Sequence, residues 1–307
     1  MTVLPSWTGA QPVPTTSRTR LAVDSFASVR VRVVGVARDI SGSGAESRDV
    51  IDVTVPHSAR IWNYWLGGKD NYEVDRQAGD EYIRVSPNVV DVARASRGFL
   101  VRSIRYLVGE AGVRQFLDVG TGLPTAQNTH EVAQAIAPES RIVYVDHDPL
   151  VLAHARALLV GTEEGATDYI DAELREPGAI LAQAEKTLDF GRPIGLILSG
   201  IMGHVADLQE ARAIVRRLLE ALPSGSYLSL NDGTSTVHAE VQDAQDQYNE
   251  SGAIPYTLRT PEEIAGFFDG LEIVEPGVVS CPLWRPDTGQ VGTPEPQDAF
   301  GGVGRLP

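Results

Sequence analysis

Cysteine is almost missing from this chain: Cys281 is the single one in 307 residues, which excludes an internal disulfide framework and any cysteine-based zinc cluster. Histidine is also scarce, six in all, and His130, His147, His154 and His238 are scattered without the spacing of metal ligands, so no metal site is expected. The sequence has no run of about 18 apolar residues, and its amino terminus has neither the charged start nor the apolar core of a secretory signal. A cytoplasmic protein without a membrane span is the expectation. Basic side chains are outnumbered, 26 Lys and Arg against 41 Asp and Glu, for a net charge of -15. That balance repels a phosphate backbone and disfavours a nucleic acid partner. What is present is ordinary for a globular protein: 42% hydrophobic and 22% charged residues, in a length that suits one large domain with appendages or two small ones.

Residues 1 to about 50 stand apart. They are rich in Ser, Thr, Pro and Gly, carry one strand-like alternation (Val29-Arg30-Val31-Arg32-Val33), and pass into the linker-like SGSGAES. Over residues 1–40, Arg18, Arg20, Arg30, Arg32 and Arg38 face only Asp24 and Asp39, so this part is locally +3 (5 minus 2) and the remainder is -18. A mostly disordered extension is expected. Residues 51–112 are aromatic and charged, with Trp62, Tyr64 and Trp65 beside Gly67-Gly68. Between Val89 and Glu110, Val92, Ala95, Phe99, Ile104 and Leu107 recur at near-helical spacing, with Arg94, Arg97, Arg102 and Arg105 on the other faces. This region reads as a small helical cap with a glycine turn. From 113 onward the short β-rich runs QFLDVG, RIVYVD, TDYIDA, IGLILSG and SYLSLND alternate with helical patterns near 125–137, 149–160, 177–187 and 206–221. Such alternation argues a parallel sheet covered on both faces. Thr260 and Pro261 open a further helix, LEIVEPGVVS reads as one more strand, and RPDTGQVGTPEPQD as Pro-rich loop.

Chemistry concentrates in FLDVGTGLPT, an apolar strand running into Asp118-x-Gly120-x-Gly122 and a helix opened by Pro124 and Thr125. Glycines here let the chain turn tightly and bring backbone N–H groups against a ligand at a helix amino terminus; a plain strand-to-helix turn would use the same pair. Asp118 is more discriminating. A carboxylate two residues before the first Gly repels a pyrophosphate and pairs with an ammonium, such as that on the methionine end of S-adenosylmethionine. Thr125 stands where the dinucleotide pattern needs Gly or Ala, which disfavours a nicotinamide dehydrogenase. The second strand ends at Val145-Asp146, 24 residues beyond Gly122, where an alternating fold delivers an acid to ribose hydroxyls. Either Asp146 or Asp148 also suits the cap of the helix beginning at Pro149. Asp171, ending the third strand, either accepts from an adenine amino group or is a solvated loop acid.

The chain resembles class I S-adenosylmethionine-dependent methyltransferases and, more narrowly, the bacterial DUF574 (Methyltransf_19) family. The resemblance covers about residues 51–305 and is carried by VPHSARIWNYWLGGKDNYEVDR, QFLDVGTGLPTAQNTHEVAQ, APESRIVYVDHDPLVLAHARALL, SYLSLNDGT, PGVVSCPLWRPD and FGGVGR. It implies an α/β fold: a Rossmann-like, seven-stranded, mostly parallel sheet with helices on both faces, the last strand antiparallel and formed by the terminal segment. Residues 113–307 would then be the cofactor domain beneath the 51–112 cap. It implies S-adenosylmethionine as cofactor, held at Asp118, Gly120, Thr121, Gly122, Asp146, His147, Asp171, Ala172 and Ser199. Two departures stand out: Pro124 occupies a position where methyltransferases often carry a third Gly, and LSGIMGHVAD is unusually Gly-rich.

A sulfonium is already an activated methyl donor, so the protein mainly aligns acceptor, methyl and sulfur. His204, just beyond the fourth strand, is the candidate general base, with a capping or loop histidine as the plainer alternative. His57, Arg60, Tyr64, Lys69, Asp70 and Asn71 form the polar set of the cap, which reads either as a lid over cofactor and substrate or as a salt-bridged packing unit. Trp62 and Trp65 read as core. The expected activity is methylation of an oxygen or nitrogen on a small molecule; a non-catalytic protein that binds or senses S-adenosylmethionine is the alternative.

Overall fold

A computed structural model describes residues 52–158, 161–287 and 292–307. The expectations for residues 1–50, the Val29 run among them, and for the last two residues of the helix read over 149–160 lie outside the described residues.

Three helices come first: α1 (Ser58–Trp65), α2 (Glu73–Val85) and the long α3 (Val89–Gly109). Strands and helices then alternate as β1 (Gln115–Val119), α4 (Thr129–Ile136), β2 (Arg141–Asp146), α5 (Pro149–Leu158), β3 (Ala166–Asp171), α6 (Pro177–Ala184), β4 (Gly195–Ser199), α7 (Leu208–Leu219) and β5 (Tyr227–Gly233). After these come α8 (Val241–Glu250), α9 (Pro261–Ala265), the short β6 (Glu272–Ile273) and β7 (Val279–Ser280), and β8 (Ala299–Arg305). No helix among the described residues is long and apolar enough to cross a membrane.

Among the described residues the sheet has eight strands rather than seven, in the order 3-2-1-4-5-8-6, with β7 also paired to β8. The first five are mutually parallel, and the terminal strand runs antiparallel to β5, from Tyr227 opposite Arg305 to Gly233 opposite Ala299. The extra strand arises because LEIVEPGVVS is not continuous. Pro276 has no N–H for a ladder and Gly277 turns the chain at φ 93°, so β6 and β7 pair with separate stretches of β8. A second boundary also moves. The first crossover helix begins at Thr129, not at Thr125, because Asn128 is its N-cap and Glu131 closes the capping box; Pro124 and Thr125 belong to a longer loop.

Side-chain alternation along the strands divides the core between two faces. Leu117, Val143, Leu196 and Leu228 pack with Ile180, Ile214, Leu218 and Phe267 on one face. Phe116, Ile142 and Ile197 pack with Phe99, Ile104 and Leu107 of α3 on the other. Both faces being covered, the strands read as nearly unbroken apolar runs. A third cluster joins Ile61 and Trp65 of α1, Tyr82 of α2 and Ala93 of α3 to Ala244 and Tyr248 of α8. The helices before the sheet are thus fastened to an element much later in the chain.

Candidate active site

Strand order reverses at β1, whose neighbours are β2 and β4, and open α/β sheets take ligands in the crevice beyond the carboxyl ends of strands at such a point. A cavity of about 310 Å³ lies there, reached by the ends of β1, β2, β4 and β5 and by α1, α3 and α8.

On one side the glycine loop supplies the wall. Gly120 and Gly122 have φ of 75° and 65°, the left-handed region that glycine adopts without strain. A Cβ at Gly120 would collide with Ile201, whereas one at Gly122 would meet nothing within 4 Å, so the loop leaves room beside its second glycine. The Gly122 N–H donates to Asp146 Oδ2 at 2.9 Å, and Asp146 Oδ1 accepts from the N–H groups of His147 (2.8 Å) and Asp148 (3.0 Å). Asp148 in turn accepts the Leu150 N–H at 2.6 Å. Of the two acids, Asp148 caps α5 and Asp146 braces the glycine loop at the cavity wall. Burial raises the Asp146 pKa against the pull of those N–H groups.

Asp118 is buried and accepts from the Thr129 hydroxyl. Burial pushes its pKa up to about 6, while Thr129 and the Arg97 guanidinium draw it down. Arg97 is held by the carbonyls of Ala126 (3.0 Å) and Gln127 (2.8 Å) through Nη2, yet its Nε is buried with no partner, as is the Thr125 hydroxyl. Buried polar atoms are usually paired. Both residues line the cavity with Asp118, so this wall presents one anion, one cation and unsatisfied polar atoms, the complement of an amino-acid zwitterion.

His204 lines the other side. Its Nδ1 lies 2.9 Å from the Pro255 carbonyl, which only accepts, so Nδ1 carries the proton and the neutral ring keeps its lone pair on Nε2. Burial lowers the His204 pKa and favours that neutral form. The ring meets Tyr256 edge-on at 5.1 Å, and Tyr256 donates to Asp232, which also pairs with Arg259 at 3.3 Å. The Gly-rich turn after β4 has a cause here: a Cβ at Gly203 would run into the Tyr256 ring.

The chain matches the model of a family described as S-adenosyl methyltransferase (Methyltransf_19) over residues 44–307. It is a member of that family. A DUF574 family protein from Streptomyces avermitilis is similar at 45% identity and a TM-score of 0.80, over 84% of this chain and 100% of the other. A candidate methyltransferase from Thermobifida fusca is similar at 39% identity and a TM-score of 0.76, over 83% and 96%. No curated protein matches. The cofactor of this S-adenosyl methyltransferase is S-adenosylmethionine, and the residues present fit it: a wall with one anion, one cation and unsatisfied polar atoms, a loop with room at Gly122, and the half-buried carboxylate of Asp146 beside that loop.

Of the residues expected at the cofactor, Asp118, Gly120, Thr121, Gly122, Asp146, His147, Ala172 and Ser199 line the cavity. Asp171 does not: alternation along β3 turns Ile170 inward and leaves Asp171 exposed, and Glu173 is the acid of that segment that reaches the lining. Of the cap's polar set only His57 is in the wall. Arg60 is buried against Asp75 at 3.0 Å, with its remaining donors on the carbonyls of Asp52 and Val55. Tyr64 bonds Asp80, Asn71 bonds Asn63 and Gly68, Asp70 pairs with His154 at 3.3 Å, and Lys69 is exposed. Trp62 and Trp65, read as core, line the cavity with Tyr82, Tyr248 and Tyr256. Their spacing of three residues on a helix puts both tryptophans on one face, a signal that cannot say whether core or ligand lies beyond.

Proposed function

We propose that the protein transfers a methyl group from S-adenosylmethionine to an oxygen or nitrogen of a small molecule. The observation that carries this reading is the continuity of the cavity: the glycine loop with Asp118, Arg97 and Asp146 shares it with a neutral His204 whose Nε2 is free. Asp118 would hold the ammonium of the cofactor, Arg97 with Thr125 its carboxylate, and Asp146 its ribose hydroxyls. Bound there, the sulfonium supplies an electrophilic methyl group and becomes a neutral thioether once the acceptor takes it. An acceptor O–H or N–H must lose a proton in the exchange, and His204 Nε2 is the site offered for it. The net charge of -15 favours a small acceptor over a polyanion.

Calorimetric titration with S-adenosylmethionine, S-adenosylhomocysteine and NAD tests the reading. The first two should bind and NAD should not. Asp146→Ala should weaken S-adenosylhomocysteine by about ten- to a hundredfold, since a hydrogen bond to a charged group is worth ~1.5–3 kcal/mol. Equal affinity in both proteins would remove Asp146 from the site, and binding without turnover of any acceptor would favour a sensing role.

A further inference from the structure

The half of the cavity away from the glycine loop has a chemical character of its own. Its walls come from α1, the end of α2, the start of α3, α8 and the loop at 254–258. Two carboxylates reach it, and both are already satisfied within the protein. Asp232 is taken up by Arg259, Tyr256 and the Gly203 N–H. Asp298 lies 2.6 Å from His238 Nδ1 and accepts the N–H groups of Val237 (2.8 Å) and His238 (3.0 Å). Among the described residues no lysine lines the cavity, and the two arginines that do are engaged elsewhere, Arg97 beside Asp118 and Arg175 on Glu210 and the His204 carbonyl. A charged acceptor would therefore lose its hydration without gaining a counter-ion.

What this half offers is aromatic surface. Trp62, Trp65, Tyr82 and Tyr248 form a chain of edge-to-face contacts with ring centroids 5.8, 5.1 and 6.2 Å apart. All four line the cavity. Rings locked by one another in this way make a rigid wall suited to a flat apolar guest. One polar atom breaks the pattern: the Ser86 hydroxyl, on a residue only 1% exposed, lines the same cavity and has no hydrogen-bond partner. A buried hydroxyl left unpaired is costly unless a ligand completes it.

Resting on the methyl-transfer reading above, we propose that the acceptor is an uncharged, planar aromatic compound carrying a hydroxyl or comparable neutral polar group, seated against the Trp62–Trp65–Tyr82–Tyr248 wall with its polar group near Ser86.

The test uses full-length protein saturated with S-adenosylhomocysteine and three probes of one shape at about pH 7.5: 2-naphthol, 2-naphthoate and 2-naphthylmethylammonium, with tryptophan fluorescence and calorimetry as readouts. The neutral probe should bind about tenfold or more tighter than either ion. Ser86→Ala should weaken 2-naphthol by about threefold or more and leave S-adenosylhomocysteine affinity unchanged. The comparison of probes needs no variant, so a folding defect in Ser86→Ala cannot mask the result. If either ion binds as tightly as 2-naphthol, or if 2-naphthol does not bind at about 1 mM, the acceptor class is wrong while the methyl-transfer reading stands. Failure of S-adenosylhomocysteine to bind in the first place overturns both.

Discussion

Burial holds the Asp118 carboxyl at about 6, well above the value of about 3.9 it has in an unfolded chain. Between those two values the folded protein keeps a proton that the unfolded chain gives up, so ligand-free stability falls as pH rises through this window and is lower by ~3 kcal/mol beyond it. Asp118→Asn removes that penalty. Urea unfolding should show the variant gaining on wild type by ~3 kcal/mol between about pH 4 and pH 7, while its affinity for S-adenosylhomocysteine drops about tenfold for want of the carboxylate. A stability difference that stays constant with pH would show that Asp118 is ordinarily ionised in the folded chain. Asp118, Asp146 and His204, which all line the cavity, were legible in the sequence as cavity residues because each lies at or shortly beyond the carboxyl end of a strand. It did not separate Arg60 from Arg97. Both are arginines on helices near the site, and only packing reveals that Asp75 neutralises the first while the second keeps a buried Nε without a partner beside the glycine loop.

At the level of elements, α1 is the part whose role the sequence left open between lid and packing. Its N-cap is His57, whose Nδ1 accepts the Ala59 N–H and whose Nε2 lies 3.0 Å from Asp148, the cap of α5. One imidazole thus ties the beginning of α1 to the turn that follows Asp146, and Ile61 and Trp65 seat the same helix in the third core cluster. These contacts fasten α1 at its start and along its buried face. Loss of an N-cap costs ~1 kcal/mol, so His57→Ala should speed amide exchange across residues 58–66 by about five- to tenfold, with α7 unaffected. Uniform acceleration throughout the protein would mean that α1 opens only with the whole fold. The β-α alternation was legible because strands and helices have different periods. α8 was not, since VQDAQDQYNE is mostly polar and its buried residues, Val241, Ala244, Gln245 and Tyr248, acquire meaning only from the partners α1 and α2 provide.

For the whole molecule, the family match begins at residue 44, close to where the sequence changes charge sign. Removing residues 1–48 should leave S-adenosylhomocysteine affinity within about twofold and the thermal midpoint within a few degrees, because ~1 kcal/mol shifts the midpoint of a domain this size by only about 2–4 °C. A drop of about ten degrees would show that the segment contributes to the folded body. The architecture carries a further consequence for how the protein comes into being. β8 is flanked on both sides, by β5 and by β6 and β7, yet it is the last of the eight strands to leave the ribosome. Until residues 299–305 emerge, β5, a strand whose side chains from Tyr227 to Asp232 belong in the interior, displays a bare edge. Unpaired edges of this kind recruit other strands. A premature stop codon between Gly233 and Ala299 therefore yields an open-edged sheet for chaperones and proteases to deal with, rather than a shortened but closed fold.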